Sequence, residues 1–175
     1  MKSFICSKGC CKYSVAPYNY NHPQDYYNRR EKTLKAGIFI TNNSFTKVLL
    51  VQSRQKLWGP PKGSLYPNES VQEGAVREVK EETGLEFDPK DLEDPKLIKG
   101  RSHYYHKQIN EVDLLVQTTE EGNDANGIGW FSIDCIDEMI LNGTIKINQH
   151  CRLLFRKILS IILPQNQKDR MLKAF

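Results

Sequence analysis

Three glutamates near the middle of the chain place the strongest constraint on its fold and chemistry. Glu78, Glu81 and Glu82 stand at i, i+3 and i+4, which puts their carboxylates on one face of a helix. Like charges at this spacing destabilise a helix by roughly a few tenths of a kcal/mol per pair, so a plain solvated acidic face carries a cost. A hard divalent cation reverses that cost, because Mg²⁺ prefers carboxylate oxygens. Taken alone, the three glutamates are compatible with a solvated acidic face. The residues around them distinguish that interpretation from a metal-binding face.

The residues around the glutamates predict where this helix begins and ends. Ser70 followed by Glu73 has the spacing of a capping box, and Gly84 supplies a C-terminal stop. An apolar stripe for packing is provided by Val71, Ala75 and Val79. The sequence therefore predicts one amphipathic helix with an acidic face.

A longer motif runs from Gly63 to Leu85. After Gly63 come five residues, Glu69, seven residues, and then Arg77-Glu78-Val79-Lys80-Glu81-Glu82-Thr83-Gly84-Leu85. This matches every fixed position of G-x5-E-x7-R-E-U-x-E-E-x-G-U, where U is aliphatic, and so the chain resembles the Nudix hydrolases. Strands that come mostly first and in hairpins, with helices interspersed, favour a mixed sheet between helices. The resemblance implies the Nudix fold, an α/β class in which a mixed β-sheet is sandwiched between α-helices (α/β/α sandwich).

The resemblance also implies roles for the residues of the motif. Glu78, Glu81 and Glu82 would hold catalytic Mg²⁺ or Mn²⁺ ions, most directly through Glu81 and Glu82. Arg77 would orient this set by bridging Glu69 and a metal-binding carboxylate, which Lys could not copy. The reaction would be attack of water on a phosphorus within a pyrophosphate linked to another group. An intact set of this kind argues against a catalytically inactive binding module.

The residues just before the motif bear on the substrate. Trp58-Gly59-Pro60-Pro61-Lys62-Gly63 is a W-x-x-P-K-G lead-in, similar to that of two Nudix branches, the mRNA-decapping enzymes and the diadenosine tetraphosphate hydrolases. Lys62 would be a cation beside the phosphates, and the alternative for it is a solvated loop lysine. Trp58, Lys62 and Gly63 are therefore candidate substrate-binding residues.

These branches carry a further catalytic carboxylate six residues before a Trp. Asp124 stands at that distance from Trp130, with Asp in place of Glu, and is a candidate general base or metal ligand. Because Asp is one methylene shorter, Glu120 or Glu121 could take the role instead, and Glu111 is another possibility. A plain turn Asp is the competing interpretation.

A last amphipathic helix is predicted over about 148–163. Its residues Arg152, Arg156 and Lys157, preceded by Lys146, fall where decapping enzymes carry a basic RNA-contacting helix. A solvated face opposite an apolar stripe is the alternative. The expected partner is capped RNA, with release of 7-methylguanosine diphosphate. The competing substrates are dinucleoside polyphosphates such as diadenosine tetraphosphate, or nucleoside triphosphates.

The rest of the pattern predicts one domain with short appendages. Strands are expected at 35–41, 47–52, 97–105, 111–118 and 128–131, a helix at about 134–141, and a loop at 55–68. The aromatic and polar run from Tyr13 to Tyr27 has neither helical nor strand periodicity, so regular structure is expected to begin only near residue 35. The predicted organisation is an N-terminal extension at 1–34, a Nudix hydrolase domain at 35–163 and a C-terminal tail at 164–175.

Composition bears on the kind of substrate and on the expected cellular location. The chain has 175 residues and a formal charge of +4, so it is long enough for a core and mildly basic, as suits a polyanionic substrate. No apolar run approaches the roughly 18 residues of a membrane span, and the N-terminus does not resemble a secretory signal. We therefore expect a cytoplasmic enzyme with no membrane partner.

Five cysteines are present. In a reducing compartment they are expected as free thiols. Cys6, Cys10 and Cys11 form a C-x3-C-C cluster that could contribute to a zinc site, but the usual paired C-x2-C units are missing and no fourth ligand is expected near them. Cys135 and Cys151 lie far along the chain, so reduced thiols are the default expectation.

Overall fold

The computed structural model describes residues 1–17, 34–53, 56–95, 97–114, 116–117 and 125–162. The strands are β1 (Lys2–Ile5), β2 (Lys12–Val15), β3 (Lys35–Asn42), β4 (Lys47–Gln52), β5 (Leu57–Gly59), β6 (Lys62–Ser64), β7 (Leu97–Lys99), β8 (Ser102–Ile109), β9 (Gly127–Ser132) and β10 (Lys146–Ile147). The helices are α1 (Val71–Thr83), α2 (Ile133–Leu141) and α3 (Gln149–Ile162), with a short 3-10 helix at Pro89–Asp91.

These strands form one mixed sheet. Its main path runs β1-β2-β9-β4-β3-β8-β7, with β6 paired to β3, and β5 paired to β4 and β10. The pairs β3–β8 and β5–β10 are parallel, and the others are antiparallel. Parallel pairing of β3 and β8 brings their N-terminal ends together, beside β6.

Helices cover both faces of the sheet. Alternation along β3 sends Ile38 and Ile40 into the core that includes Ala75 and Val79 of α1. Phe39, between them, joins the opposite core, to which α2 contributes Ile136 and Met139 and α3 contributes Leu154 and Phe155. The predicted mixed sheet between helices is therefore confirmed. No helix in the described part of the chain combines the length and apolar character that a membrane span requires.

Local patterns predicted several of these elements. The hairpin of β3 and β4 and the helices α1, α2 and α3 lie where they were expected, within one or two residues at each end. The expected loop at 55–68 is wrong in part, because β5 and β6 lie in it. The expected single strand at 97–105 is also wrong. A turn at Gly100, whose φ is 59°, divides it into the antiparallel strands β7 and β8.

Two further expectations are corrected at the edges of the sheet. The described residues of the segment 111–118 are not in a strand, so that prediction is wrong for them. The prediction that regular structure begins near residue 35 is also wrong, because β1 and β2 form an antiparallel hairpin. β2 then pairs with β9, so the hairpin extends the sheet.

Candidate active site

Helix α1 is fixed at both ends by the residues that predicted it. The Ser70 hydroxyl accepts a hydrogen bond from the Glu73 N–H at 3.2 Å, and the Glu73 carboxylate accepts one from the Ser70 N–H at 2.9 Å. Gly84 ends the helix with a left-handed φ of 77°, and its N–H donates to the Lys80 carbonyl at 2.8 Å. This confirms the capping box and the glycine stop, and it sets the register of the acidic face.

Arg77 connects the carboxylates of the motif. Its guanidinium makes a two-pronged contact with Glu69, at 2.7 Å from Nε and 3.0 Å from Nη2. Nη1 donates to Glu78 at 2.9 Å and to Glu81 at 3.0 Å, and Nη2 also donates to the Ser64 carbonyl at 2.8 Å. The predicted bridging by Arg77 is therefore present, and it uses the planar fork that a lysine lacks.

The charges of this network stabilise one another. Burial alone would raise the pKa of Glu69, but hydrogen bonds from Arg77 and from the Tyr66 N–H outweigh it and hold that pKa below its usual value. Burial works against the charged form of Arg77, yet its contacts with Glu69 and Glu78 raise its pKa above the ordinary range. The guanidinium also lies 3.9 Å from the centre of the Tyr66 ring. Arg77 is thus a permanent cation at the centre of the cluster.

Strand β6 presses its backbone against the acidic face of α1. A Cβ atom at Gly63 would lie 2.0 Å from a carboxylate oxygen of Glu78, so a larger residue there would displace the carboxylate that Arg77 contacts. The Lys62 N–H donates to Glu82 at 2.8 Å. Glu78 and Glu82 are only 7% and 4% exposed. The backbone of β6 therefore binds Glu82 and leaves the space that the Glu78 carboxylate occupies.

The composition of this cluster suits a divalent cation. Arg77 makes hydrogen bonds to the carboxyl groups of Glu69, Glu78 and Glu81, and Glu82 of the same helix accepts from the Lys62 N–H. An excess of carboxyl oxygens at a poorly exposed place matches the ligand preference of Mg²⁺ and Mn²⁺. Glu78, Glu81 and Glu82 would hold such an ion, which would supply neutralisation of phosphate charge and a more acidic bound water.

Trp58 occupies a different environment from Lys62. Its ring is 2% exposed and packs edge-on against Phe131 at 4.8 Å and Tyr13 at 5.5 Å between ring centres. The side chain of Lys62 is partly exposed at the end of the lead-in. Burial favours a role for Trp58 in positioning β5 rather than in stacking on a substrate. Substrate contact by Lys62 and Gly63 stays a prediction.

Helix α3 begins beside the lead-in to the motif. The Asn148 N–H donates to the Trp58 carbonyl at 2.9 Å, and the Asn148 side chain caps the helix by accepting from the Cys151 N–H at 2.8 Å. Gly59 permits this approach, because a Cβ there would lie 1.9 Å from the Asn148 amide nitrogen. His150 shares a hydrogen bond of 2.8 Å with the hydroxyl of Tyr104. The first turn of α3 therefore lies beside β5, which leads into the motif.

The cationic residues of α3 lie away from the core. Leu154 and Phe155 are buried, and Phe155 meets Phe39 edge-on at 5.4 Å. Arg152 is partly exposed, while Arg156, Lys157 and Lys146 are exposed. Among the side chains of α3 that the structure describes, the predicted division between apolar and cationic residues is confirmed. Contact between Arg152 or Arg156 and a substrate stays a prediction.

The candidate downstream carboxylates separate into two groups. Asp124, Glu120 and Glu121 lie outside the described residues. Glu111 accepts hydrogen bonds from Asn42 and Lys47 at the C-terminal end of β3. Gly63 pairs with the N-terminal end of the same strand, six residues away and so roughly 20 Å distant. Glu111 thus lies at the wrong end of β3 to join the acidic face of α1.

One cluster of metal-binding residue types is not predicted by any pattern in the sequence. Cys135 joins Cys6, Cys10 and Cys11, although it is remote from them in sequence. The expectation that no fourth thiol is near is therefore wrong. No local sequence pattern indicates that Cys135 lies beside the other three thiols, because this contact depends on the hairpin of β1 and β2, which was not predicted.

Known proteins resemble this chain in sequence and fold. The NUDIX domain family matches residues 31–146. "Putative hydrolase 111R" of Invertebrate iridescent virus 3 is 33% identical over 150 residues, which cover 81% of this chain and 83% of that protein. A NUDIX hydrolase from Nitrosomonas europaea shares the fold with a TM-score of 0.56 at 20% identity, over 78% of this chain and 95% of that chain. An Ap4A hydrolase from C. elegans shares it with a TM-score of 0.52 at 22% identity, over 75% of this chain and 98% of that chain. The chain therefore belongs to the NUDIX domain family and is a Nudix hydrolase.

Proposed function

We propose that this Nudix hydrolase removes the cap from capped RNA by cleaving its pyrophosphate bond and releasing 7-methylguanosine diphosphate. The observation that carries the proposal is the position of α3. Asn148, which precedes α3 and caps it, donates its N–H to the carbonyl of Trp58 in β5, shortly before Lys62 and the carboxylate cluster. A cationic helix in that position offers phosphate contacts to an RNA body whose capped end lies at the glutamates.

The catalytic part of the proposal rests on the network around Arg77. Arg77 holds Glu69, Glu78 and Glu81 in one arrangement before any substrate binds, so little reorganisation is needed. Glu78, Glu81 and Glu82 serve as ligands for Mg²⁺ or Mn²⁺. One of these carboxylates, or Asp124, accepts the proton of the attacking water. The side chain of Lys62 lies against the phosphate chain as a further cation.

The substrate can be identified by its products. Cap-labelled RNA, free cap dinucleotide and diadenosine tetraphosphate are offered side by side with Mg²⁺ and with Mn²⁺. Release of 7-methylguanosine diphosphate from RNA, with little cleavage of the free cap, is expected because the RNA body adds binding through α3. Preferential cleavage of either dinucleotide would contradict the decapping proposal. The cytoplasmic location expected from the sequence agrees with this substrate and stays part of the proposal.

Removal of the cations of α3 tests the RNA contact. Arg152→Ala combined with Arg156→Ala should weaken binding of long capped RNA and leave hydrolysis of free nucleotides unchanged. If each arginine contacts one phosphate, the slope of log affinity against log salt should become less steep by roughly 1.4. Lys2→Ala combined with Lys90→Ala removes two exposed cations elsewhere and serves as the matched control. If both double variants weaken RNA binding equally, the proposed contact between α3 and RNA is wrong.

A dinucleoside polyphosphate is the second candidate substrate. The W-x-x-P-K-G lead-in that resembles decapping enzymes also resembles diadenosine tetraphosphate hydrolases, and the fold is shared with the C. elegans Ap4A hydrolase. Such a substrate has no RNA body to bind, so its turnover should not depend on Arg152 and Arg156 of α3. The same side-by-side assay distinguishes this candidate from decapping.

A further inference from the structure

Four cysteines from two distant parts of the chain meet beside α2. Cys6, Cys10 and Cys11 lie in the segment that joins β1 to β2, and Cys135 lies in the first turn of α2. Their four sulfur atoms all lie within 4.8 Å of one another. All four are free thiols. We call this group the thiol cluster.

The sulfur–sulfur distances fit a single tetrahedral ion. The sulfur atoms of Cys6 and Cys10 are 3.5 Å apart, those of Cys10 and Cys11 3.9 Å, and those of Cys6 and Cys135 3.8 Å. A tetrahedral ion with metal–sulfur bonds of about 2.3 Å separates its sulfur ligands by about 3.8 Å. A disulfide would need about 2.05 Å. A two-iron cluster would place the ligands of one iron farther from those of the other, because two metal ions would lie between them.

We propose that Cys6, Cys10, Cys11 and Cys135 bind one structural zinc ion, which fastens the β1–β2 hairpin to α2. Tetrahedral sites of four sulfur ligands select zinc or iron among the common metals. Four protein ligands leave no open position for water or substrate, so the ion stabilises the fold and takes no part in the hydrolysis.

Backbone groups around the thiol cluster support thiolate ligands. The Cys11 N–H donates to the sulfur of Cys6 at 3.3 Å, and the Ser132 N–H donates to the sulfur of Cys11 at 3.2 Å. Ser132 is the N-cap of α2, whose positive end favours negative charge nearby. Such hydrogen bonds orient the ligands of metal sites and tune their charge.

The turn of the hairpin brings the sulfur atoms of Cys6, Cys10 and Cys11 together. The Gly9 N–H donates to the Cys6 carbonyl at 2.9 Å, and Gly9 has a left-handed φ of 72° that most other residues would resist. The Cys6 N–H also donates to the Cys11 carbonyl at 3.2 Å. Backbone hydrogen bonds within the hairpin thus fix the turn, and Cys135 of α2 supplies the fourth sulfur atom.

The proposed ion would act as a long-range cross-link. Cys6 and Cys135 are 129 positions apart, so a bond between them through zinc removes much of the freedom of the unfolded chain. The hairpin lies before residue 31, where the family match begins. The zinc site therefore ties an appendage of this chain to the Nudix domain.

Metal content of the unaltered protein is the first test. The full chain is purified under reducing conditions without chelator or added metal, and zinc and iron are measured together with the intact mass under non-denaturing conditions. We expect one zinc per chain. Replacement by Co²⁺ should give the strong visible bands of a tetrahedral site and the near-ultraviolet bands of thiolate-to-cobalt charge transfer. Absence of bound zinc, iron in its place, or a disulfide within the thiol cluster would overturn the proposal.

Matched variants locate the ion. Cys135→Ala should lose zinc and the cobalt spectrum, and its melting temperature should fall by roughly 10 °C. Cys151→Ala removes a buried cysteine from the equivalent position in the first turn of α3, outside the thiol cluster, and should keep the zinc. Glu81→Gln should also keep it, which excludes the carboxylate cluster as its source. Should Cys135→Ala fail to fold, Cys10→Ser, at a partly exposed position, replaces it. Full zinc content in a folded ligand variant would refute the assignment.

Discussion

The carboxylate cluster of α1 and the thiol cluster beside α2 are both sets of metal-ligating residue types, but the chain assembles them in opposite ways. The glutamates of α1 lie within a single turn or so of helix, and Glu69, Arg77 and Gly63 come from the same short motif. The thiols come from a hairpin and a helix separated by 129 positions. The first cluster is a product of local sequence, and the second is a product of the folded sheet.

The two clusters also differ in how they are held. One guanidinium, that of Arg77, makes five hydrogen bonds that fix the carboxylates and the lead-in strand. The thiols are oriented by weaker sulfur contacts and two backbone N–H donors. Because Glu78, Glu81 and Glu82 are the proposed metal ligands, a substitution that keeps the shape of one of them and removes its charge should reduce activity more than stability. Damage to the hairpin that carries three of the thiols should do the reverse.

The largest effect on activity is expected from Glu81→Gln. The amide keeps the shape of the side chain and can still accept the hydrogen bond from Arg77, but it removes a charged metal ligand. Loss of about 3 kcal/mol of transition-state stabilisation corresponds to roughly 100-fold in rate. Hydrolysis rate and thermal unfolding are measured together, with the exposed Glu86→Gln as the control. Near-normal turnover in Glu81→Gln would remove the metal assignment for this residue.

Arg77→Lys should give the next largest loss. A lysine keeps the charge but cannot contact Glu69, Glu78 and Glu81 at once, so the carboxylates lose their common support. We expect a fall of roughly 10- to 100-fold in kcat/KM, as is typical when the support of metal ligands is removed. Lys80→Arg, on the exposed side of the same helix, is the matched control. If the two variants behave alike, the fork of Arg77 has no special role.

Local residues were enough to predict α1 and its acidic face. Capping by Ser70 and the stop at Gly84 depend on contacts within a few positions, and the apolar stripe depends on the helical period alone. Bridging of Glu69 by Arg77 could be predicted because the family motif fixes the spacing of both residues. The structure adds the contact between Gly63 and Glu78, which needs β6 to pack against α1.

Elements that depend on distant partners were missed. Every residue of β1 is exposed, so its sequence has no alternation to indicate a strand. β2 is held by β9, more than 100 positions later, and no local pattern contains that pairing. Cys135 joins the other thiols only once this hairpin lies against the sheet. Long-range pairing, rather than weak propensity alone, therefore accounts for the thiol cluster being missed.

Gly129→Ala tests the hairpin side of the comparison. A Cβ at Gly129 in β9 would lie 2.2 Å from the Cβ of Tyr13 and 2.6 Å from the Lys12 carbonyl, so β2 must shift. Overpacking of this kind costs roughly 1–3 kcal/mol of unfolding free energy. Turnover per folded molecule should change little, because the carboxylate cluster is held from α1 and β6. Lys2→Ala, at an exposed position of β1, is the control. A marked fall in turnover per folded molecule would show that the β1–β2 hairpin and the carboxylate cluster are coupled.

Glu111→Gln should have a smaller effect than the three substitutions above, and it tests whether loss of a carboxylate charge far from the active site changes activity. Glu111 accepts from Lys47 at 2.6 Å and Asn42 at 3.0 Å, and its side chain is 38% exposed. Burial acts to raise its pKa, but these partners outweigh it and lower the pKa. A depressed pKa stabilises the folded state above the unfolded pKa, and this contribution is lost as the pH falls through the folded value.

We therefore expect Glu111→Gln to cost roughly 0.5 kcal/mol of unfolding free energy at pH 7, after allowance for solvent screening. The difference from the parent should shrink as the pH falls below the ordinary glutamate value of 4.5. Asp113→Asn, which breaks a more exposed pair with Lys12, should have a smaller effect. Turnover should stay within about twofold of the parent, because the carboxylate lies roughly 20 Å along β3 from Gly63. A large fall in turnover would contradict this placement and return Glu111 to the candidates for the missing catalytic base.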